Sequence, residues 1–244
     1  METKQLADKL VSWIRDRVEA AGCRGVVFGL SGGLDSAVLA VLCQRALPRS
    51  TLGVIMPCHS SPEDVAHAQQ LANKFAITTK TVSLDGICDS LLEILPREST
   101  EPAIRRLAEG NFKARLRMLV LYYLANQLKY LVIGATNRSE LAIGYFTKHG
   151  DGATDIMPLG NLVKRQVREL ARFLGIPKVI IDKPPSAGLW EGQSDEAELG
   201  LSYQELDHYL LSGEASEAVR KKILAMIASS NHKRLPPQVP DFSA

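Results

Sequence analysis

The sequence predicts an α/β fold, a Rossmann-like parallel sheet with helices on both faces, in a single domain over residues 1–244. Three observations predict it. Short apolar, β-branched runs alternate with segments of helical period. One such run feeds the string SGGLDS, Ser31 to Ser36, and a helical segment follows at once, the strand–loop–helix layout of an anion-binding turn. The 244 residues suffice for one full core, and no internal repeat or low-complexity segment divides them.

The elements follow in order. Leu6, Leu10, Ile14 and Val18 recur every four residues, with Gly22 as a stop, predicting an amphipathic first helix. Gly25 to Leu30 suits a strand buried on both faces, and a helix follows through Ala37 to Ala46. Thr51 to Met56 reads as the second strand. Ser61-Pro62-Glu63-Asp64 opens a helix, with serine as N-cap, proline in the first turn and acids at the positive dipole end. A third strand at Thr78 to Ser83 leads into a helix ending before Pro96. Residues 96–110 are charged and weakly periodic, a mobile connection or a short extra helix. A long helix from Asn111 to Lys129 precedes a fourth strand, Leu131 to Thr136. After Pro177 the pattern loosens, and two short helices and the tail NHKRLPPQVPDFSA close the chain.

Bulk properties exclude several classes. A net charge of +2 is too small to argue for nucleic acid or a membrane surface as partner. No run is long and apolar enough to span a bilayer, and the N-terminus mixes acids and bases unlike a targeting peptide. Cys23, Cys43, Cys58 and Cys88 show no C-x-x-C spacing, and His59, His67 and His149 form no metal-ligand spacing. Buried reduced thiols, no zinc and a cytoplasmic location are therefore expected.

The loop Gly29, Leu30, Ser31, Gly32, Gly33, Leu34, Asp35, Ser36 carries the chemistry. Gly32 and Gly33 let backbone N–H groups approach an anion, the following helix adds its positive end, and Ser31 and Ser36 add hydroxyls. Asp35 would repel phosphate unless a cation stands between them, so it reads as a Mg²⁺ ligand or, in the simpler alternative, as a helix cap.

SGGLDS in this context resembles the pyrophosphate loop of the adenine-nucleotide α-hydrolase superfamily, whose members adenylate a substrate oxygen and release pyrophosphate. NFKARLRMLVLYYLAN, GATNRSELAIGYFTKHGDGATDIMPLGNLVKRQVRELARFLGIP, KPPSAGLWEGQSDEAELGLSY and the closing NHKR resemble the ordered blocks of the ammonia-dependent NAD synthetase family. The resemblance implies ATP-dependent amidation of deamido-NAD⁺ by ammonia through an adenylated nicotinate, with Mg²⁺ as cofactor and a homodimer as assembly. Glutamine-using relatives carry a large amidohydrolase domain for which this chain has no room, so free ammonia is the expected nitrogen source. A GMP-forming or tRNA-modifying relative would need purine contacts or a basic face in place of these blocks.

The resemblance also assigns residues. ATP falls to the loop together with Thr136, Lys164 and Ser186, where many relatives carry threonine in place of the serine. Mg²⁺ falls to Asp35 and Glu140. Deamido-NAD⁺ falls to Arg115, Lys148, Asp155, His232 and Lys233. Asp155 could face the pyridinium or orient ammonium; both remain open. By themselves Thr136 reads as an N-cap, Glu140 as a solvated first-turn acid, and Arg115, Arg117 and Arg165 as solvated or structural cations. The tail, about residues 229–244, is expected to order on substrate, and the apolar face of the Asn111–Lys129 helix is the candidate dimer contact.

Overall fold

The computed structural model describes residues 2–96, 98–190 and 192–242. Arg97 of the expected 96–110 connection, Glu191 of the KPPSAGLWEGQSDEAELG block and the last two residues of the tail lie outside the described residues.

Four parallel strands form one sheet: β1 (Gly25–Gly29), β2 (Thr51–Ile55), β3 (Thr78–Thr81) and β4 (Tyr130–Val132). The spatial order is β3-β2-β1-β4, with Val26 opposite Thr51, Leu52 opposite Thr78 and Gly25 opposite Tyr130. The chain builds outward from β1 through β2 to β3, then returns to place β4 on the other side of β1. The β1/β4 junction is thus the switch point at which α/β sheets place ligands beyond the carboxyl ends of their strands.

Residues of β1 alternate between two cores because both sheet faces are covered. Val26 and Phe28 pack with α1 (Thr3–Ala20), α2 (Leu34–Ala46) and α3 (Pro62–Phe75). Val27, Leu52 and Val54 face α4 (Asp85–Ile94) and α5 (Pro102–Leu128). After α6 (Arg138–Ile143), α7 (Lys164–Leu174) joins the first core through Val167, Leu170 and Ala171, and α8 (Lys178–Ile181) follows. The C-terminal helices α9 (Asp195–Leu199), α10 (Tyr203–Ser212), α11 (Glu217–Ser229) and α12 (Asn231–Arg234) complete the chain. Leu199, Tyr203, Leu206 and Ile223 from this group pack with Ile143 of α6 in a smaller cluster of their own.

Several boundaries differ from the sequence reading. The 96–110 stretch is mostly helical: α5 begins at Pro102 and runs unbroken for 27 residues. Its first two turns are exposed on every side, so they leave no hydrophobic period to read. Pro102 at the first turn is the same start signal as Pro62 in α3. Helix α2 starts at Leu34, three residues before the expected Ala37. β4 is three residues long, and beyond it only Ile133 pairs, through an isolated bridge to Ile156. Among the described residues, the region after Pro177 holds five helices, not two. Serine caps start α10 and α11: Ser202 accepts from Glu205 N and Ser216 from Val219 N. Among the described residues no helix is long and apolar enough to cross a membrane.

Candidate active site

The SGGLDS loop leaves β1 at the switch point and turns directly into α2. Gly32 adopts φ +82, and a Cβ there would lie 2.2 Å from the Asp64 carbonyl oxygen, so no side chain fits. Ser31 Oγ accepts the Gly33 N–H at 3.2 Å, and Ser36 Oγ donates to the Gly33 carbonyl at 3.0 Å. The two hydroxyls are 3.0 Å apart. The loop is therefore a closed turn with hydroxyls and N–H groups gathered at the N-terminus of a 13-residue helix, a setting that favours an anion.

Three elements converge beside it. Asp35 comes from the first turn of α2, Glu140 from the first turn of α6 beyond β4, and Lys164 from the first residue of α7. Lys164 Nζ donates to Asp35 Oδ2 and, at 3.1 Å, to Glu140 Oε1. Burial drives Glu140 upward, to about pH 7 for half-protonation, with nearby Asp35 adding to the rise and Lys164 opposing it. Burial acts to lower the Lys164 pKa, but Asp35 and Glu140 outweigh it and hold the ammonium charged. Two hard oxygen donors within reach of one cation form a pair that a divalent ion could share.

Neighbours fix this cluster. Asn137 donates from Nδ2 to Asp35 Oδ1 at 2.9 Å while its own Oδ1 accepts the Glu140 N–H, and Glu140 Oε2 accepts the Asn137 N–H at 3.2 Å. This capping box locks Glu140 to the start of α6. Tyr203 OH lies 3.4 Å from Glu140 Oε1 and 3.1 Å from Asp195 Oδ2, and Lys164 Nζ sits 5.0 Å from the centre of the Tyr203 ring. Tyr145 OH reaches the other oxygen of Asp195 at 3.1 Å. Burial also pushes the Asp195 carboxyl above the ordinary range.

The residues assigned to the second substrate form another group. Arg115, on α5, donates through Nε and Nη2 to the Lys148 carbonyl at 3.3 and 3.2 Å. Lys148 Nζ donates to the His232 carbonyl at 2.6 Å, and Lys233 Nζ to the carbonyls of Gly144 and Phe146 at 2.8 and 2.9 Å. The loop after α6 is thus tied to both α5 and α12. Asp155 joins neither group by hydrogen bond: Oδ2 accepts the Val132 N–H at 2.7 Å and Oδ1 the Tyr122 hydroxyl at 3.2 Å. Ser186 is exposed and accepts the Gly188 N–H at 3.1 Å within its own turn. Thr136 is buried beside Asn137, and Asn137, not Thr136, is the N-cap of α6. Arg117 is held by the Met56 carbonyl and Ser60 Oγ, as a structural cation would be.

Asn137, Tyr145, Asp195 and Tyr203 were missed from sequence. Asn137 carries a readable signal, an asparagine followed three residues later by glutamate. Asp195 and the tyrosines do not, since acids in a turn-rich stretch look solvated until the tertiary fold buries them.

A parallel sheet with an anion-cradling loop and paired carboxylates at its switch point defines a nucleotide-site α/β enzyme. A family model described as NAD synthase matches residues 6–237, and the chain belongs to the NAD synthase family. It is accordingly a ligase that forms a carbon–nitrogen bond. It is 48% identical over 237 residues to the NH(3)-dependent NAD(+) synthetase of Carboxydothermus hydrogenoformans, covering 97% of each chain. Among solved structures, the NMN synthetase of Francisella tularensis superposes with TM-score 0.92 at 40% identity, covering 99% of this chain and 100% of that one. The NH3-dependent NAD synthetase of Campylobacter jejuni superposes with TM-score 0.81 at 28% identity, over 99% and 100%.

Proposed function

We propose that this enzyme amidates the nicotinate carboxylate of deamido-NAD⁺ with ammonia, using ATP and releasing AMP and pyrophosphate. The observation that carries the reading is the convergence of Asp35, Glu140 and Lys164 beside the SGGLDS loop. A carboxylate resists ammonia because its leaving group would be oxide. Attack of a carboxylate oxygen on the α-phosphorus of ATP expels pyrophosphate and forms a mixed anhydride. Ammonia then adds to the carbonyl carbon, and the bond to the bridging oxygen breaks to release AMP.

The chain's residues supply positioning and charge. Loop N–H groups with Ser31 and Ser36 take the departing pyrophosphate, and Thr136 and Ser186 hold other parts of ATP. Asp35 and Glu140 would hold Mg²⁺, whose donor set they fit: hard, largely buried oxygens close enough to share one cation. When bound, the ion neutralises phosphate charge. Lys164, which bridges both carboxylates, is then free to turn toward phosphate. Arg115, Lys148, His232 and Lys233 bind the dinucleotide, and Asp155 serves the pyridinium or ammonium.

The tail, about residues 229–244, closes over this substrate within a single-domain enzyme. Exposed Leu119 and Tyr123 on α5 support a homodimer through that helix. Free thiols at Cys23, Cys43, Cys58 and Cys88 support a reducing, cytoplasmic setting.

One observation favours a second reading. The Francisella NMN synthetase matches this chain end to end, so nicotinate mononucleotide is the alternative acceptor for the same chemistry. Assay with ATP, Mg²⁺ and ammonium against each acceptor separates them. Higher kcat/KM for deamido-NAD⁺ supports the first reading, higher kcat/KM for the mononucleotide the second, and no amide from either sinks both.

A further inference from the structure

On the other side of β2 from the switch point, a second group of ligating side chains comes together. The loop after β2 carries Cys58 and His59, and α4 carries Asp85, Cys88 and Asp89. One ligand atom each from His59, Cys88 and Asp89 lies within 4.8 Å of the other two. His59 Nε2 is 2.7 Å from Asp89 Oδ1, and the two residues are 30 positions apart in sequence. No local spacing could have announced the cluster.

We propose that His59, Cys88 and Asp89 form a zinc site that clamps the loop after β2 to α4. Imidazole, thiolate and carboxylate are the donors Zn²⁺ takes, at about 2.0–2.3 Å, which sets donors about 3.3–3.8 Å apart around a tetrahedron. The three atoms lie within 4.8 Å of one another, and sharing one ion requires His59 Nε2 and Asp89 Oδ1 to open from 2.7 Å toward that spacing. His59 Nε2 faces the cluster, while Nδ1 lies 3.8 Å from Asp85 Oδ1, a charge contact longer than a hydrogen bond. Asp85 also accepts the His59 backbone N–H, fixing a residue whose φ of 52 lies in the left-handed region.

His59 and Asp89 are about half exposed at the side chain, so the ion has an entry path and water fills its fourth position. Cys88 is fully buried on the inner side. Ion binding displaces its proton to solvent, leaving thiolate on the metal. The donor set separates this site from Asp35 and Glu140, which offer only oxygen and suit a harder ion.

The test is metal binding to chelator-treated enzyme in excess Mg²⁺, with Co²⁺ as spectroscopic probe and Zn²⁺ by calorimetry. One tight Zn²⁺ per chain, and a sulfur-to-cobalt charge-transfer band, are expected. Cys88→Ala should remove the band, and His59→Gln, at an exposed position that spares the core, should weaken Zn²⁺ at least 10-fold. Cys58→Ala should retain both band and stoichiometry. Absence of a tight equivalent, or binding indifferent to both Cys88→Ala and His59→Gln, would overturn the site.

Discussion

Lys164 Nζ bridges the carboxylates of Asp35 and Glu140, at 3.1 Å from Glu140 Oε1, although the three residues come from three different helices. The lysine holds charge that a nucleotide–metal complex would otherwise balance. Without it, two largely buried carboxylates would face each other uncompensated.

Removing the Asp35 charge tests the pair. Asp35→Asn keeps an acceptor for Asn137 and the helix start but loses one metal ligand. Pyrophosphate release should fall by roughly 10²–10³-fold or more, the scale of losing one preorganised electrostatic group. Circular dichroism should remain unchanged. Normal turnover in this variant at millimolar Mg²⁺ would refute the ligand assignment.

Glu140 sets a pH dependence. Its carboxyl is raised from 4.5 to about 7, chiefly by burial, so it is increasingly protonated as pH falls below about 7. A metal ligand must be ionised, so apparent Mg²⁺ affinity should rise with pH up to about 7 and level off above it. The stability sign is opposite. A raised carboxyl favours the folded state fully below about pH 4.5, and that contribution is lost as pH rises through about 7. Mg²⁺ titrations across this range check the first and thermal melts without Mg²⁺ the second, each compared with Glu140→Gln; an equal pH slope in the variant would contradict the assignment.

Gly32→Ala forces a Cβ onto the Asp64 carbonyl at a left-handed φ. The combined strain should cost about 2 kcal/mol, or roughly 4–8 °C in Tm for a chain of this size, with loss of nucleotide binding. A thermal melt with and without ATP measures both.

Much of this arrangement was legible in the sequence and some was not. The SGGLDS loop could be read because glycines and hydroxyls sit between a buried strand and a helix. Glu140 and Lys164 could be placed only through family resemblance, since a first-turn acid and a helix-opening lysine look solvated alone. The start of α5 escaped because its first turns bury nothing. Asp195 and Tyr203 escaped because their burial depends on α9 and α10 folding over α6.

Asn137→Ala removes both the cap of α6 and the Asp35 partner. About 1 kcal/mol of stability should be lost, near 2–4 °C in Tm. The drop in kcat should exceed what that modest loss explains. A fall in Tm with unchanged kcat would reduce Asn137 to a cap alone.

Leu119 and Tyr123 are 59% and 65% exposed on one helix, an apolar surface that a second copy would cover. Leu119→Lys with Tyr123→Lys should give a monomer in sedimentation velocity. A dimer persisting at micromolar concentration would move the interface elsewhere.

The central claim is adenylation of the acceptor at the pyrophosphate loop, and isotope transfer tests it most directly. Deamido-NAD⁺ labelled with ¹⁸O in the nicotinate carboxylate is turned over with ATP, Mg²⁺ and ammonium. One labelled oxygen should appear in AMP for each NAD⁺ formed, because the bridging oxygen leaves with the nucleotide. Label in pyrophosphate or inorganic phosphate, or none in AMP, would contradict the account.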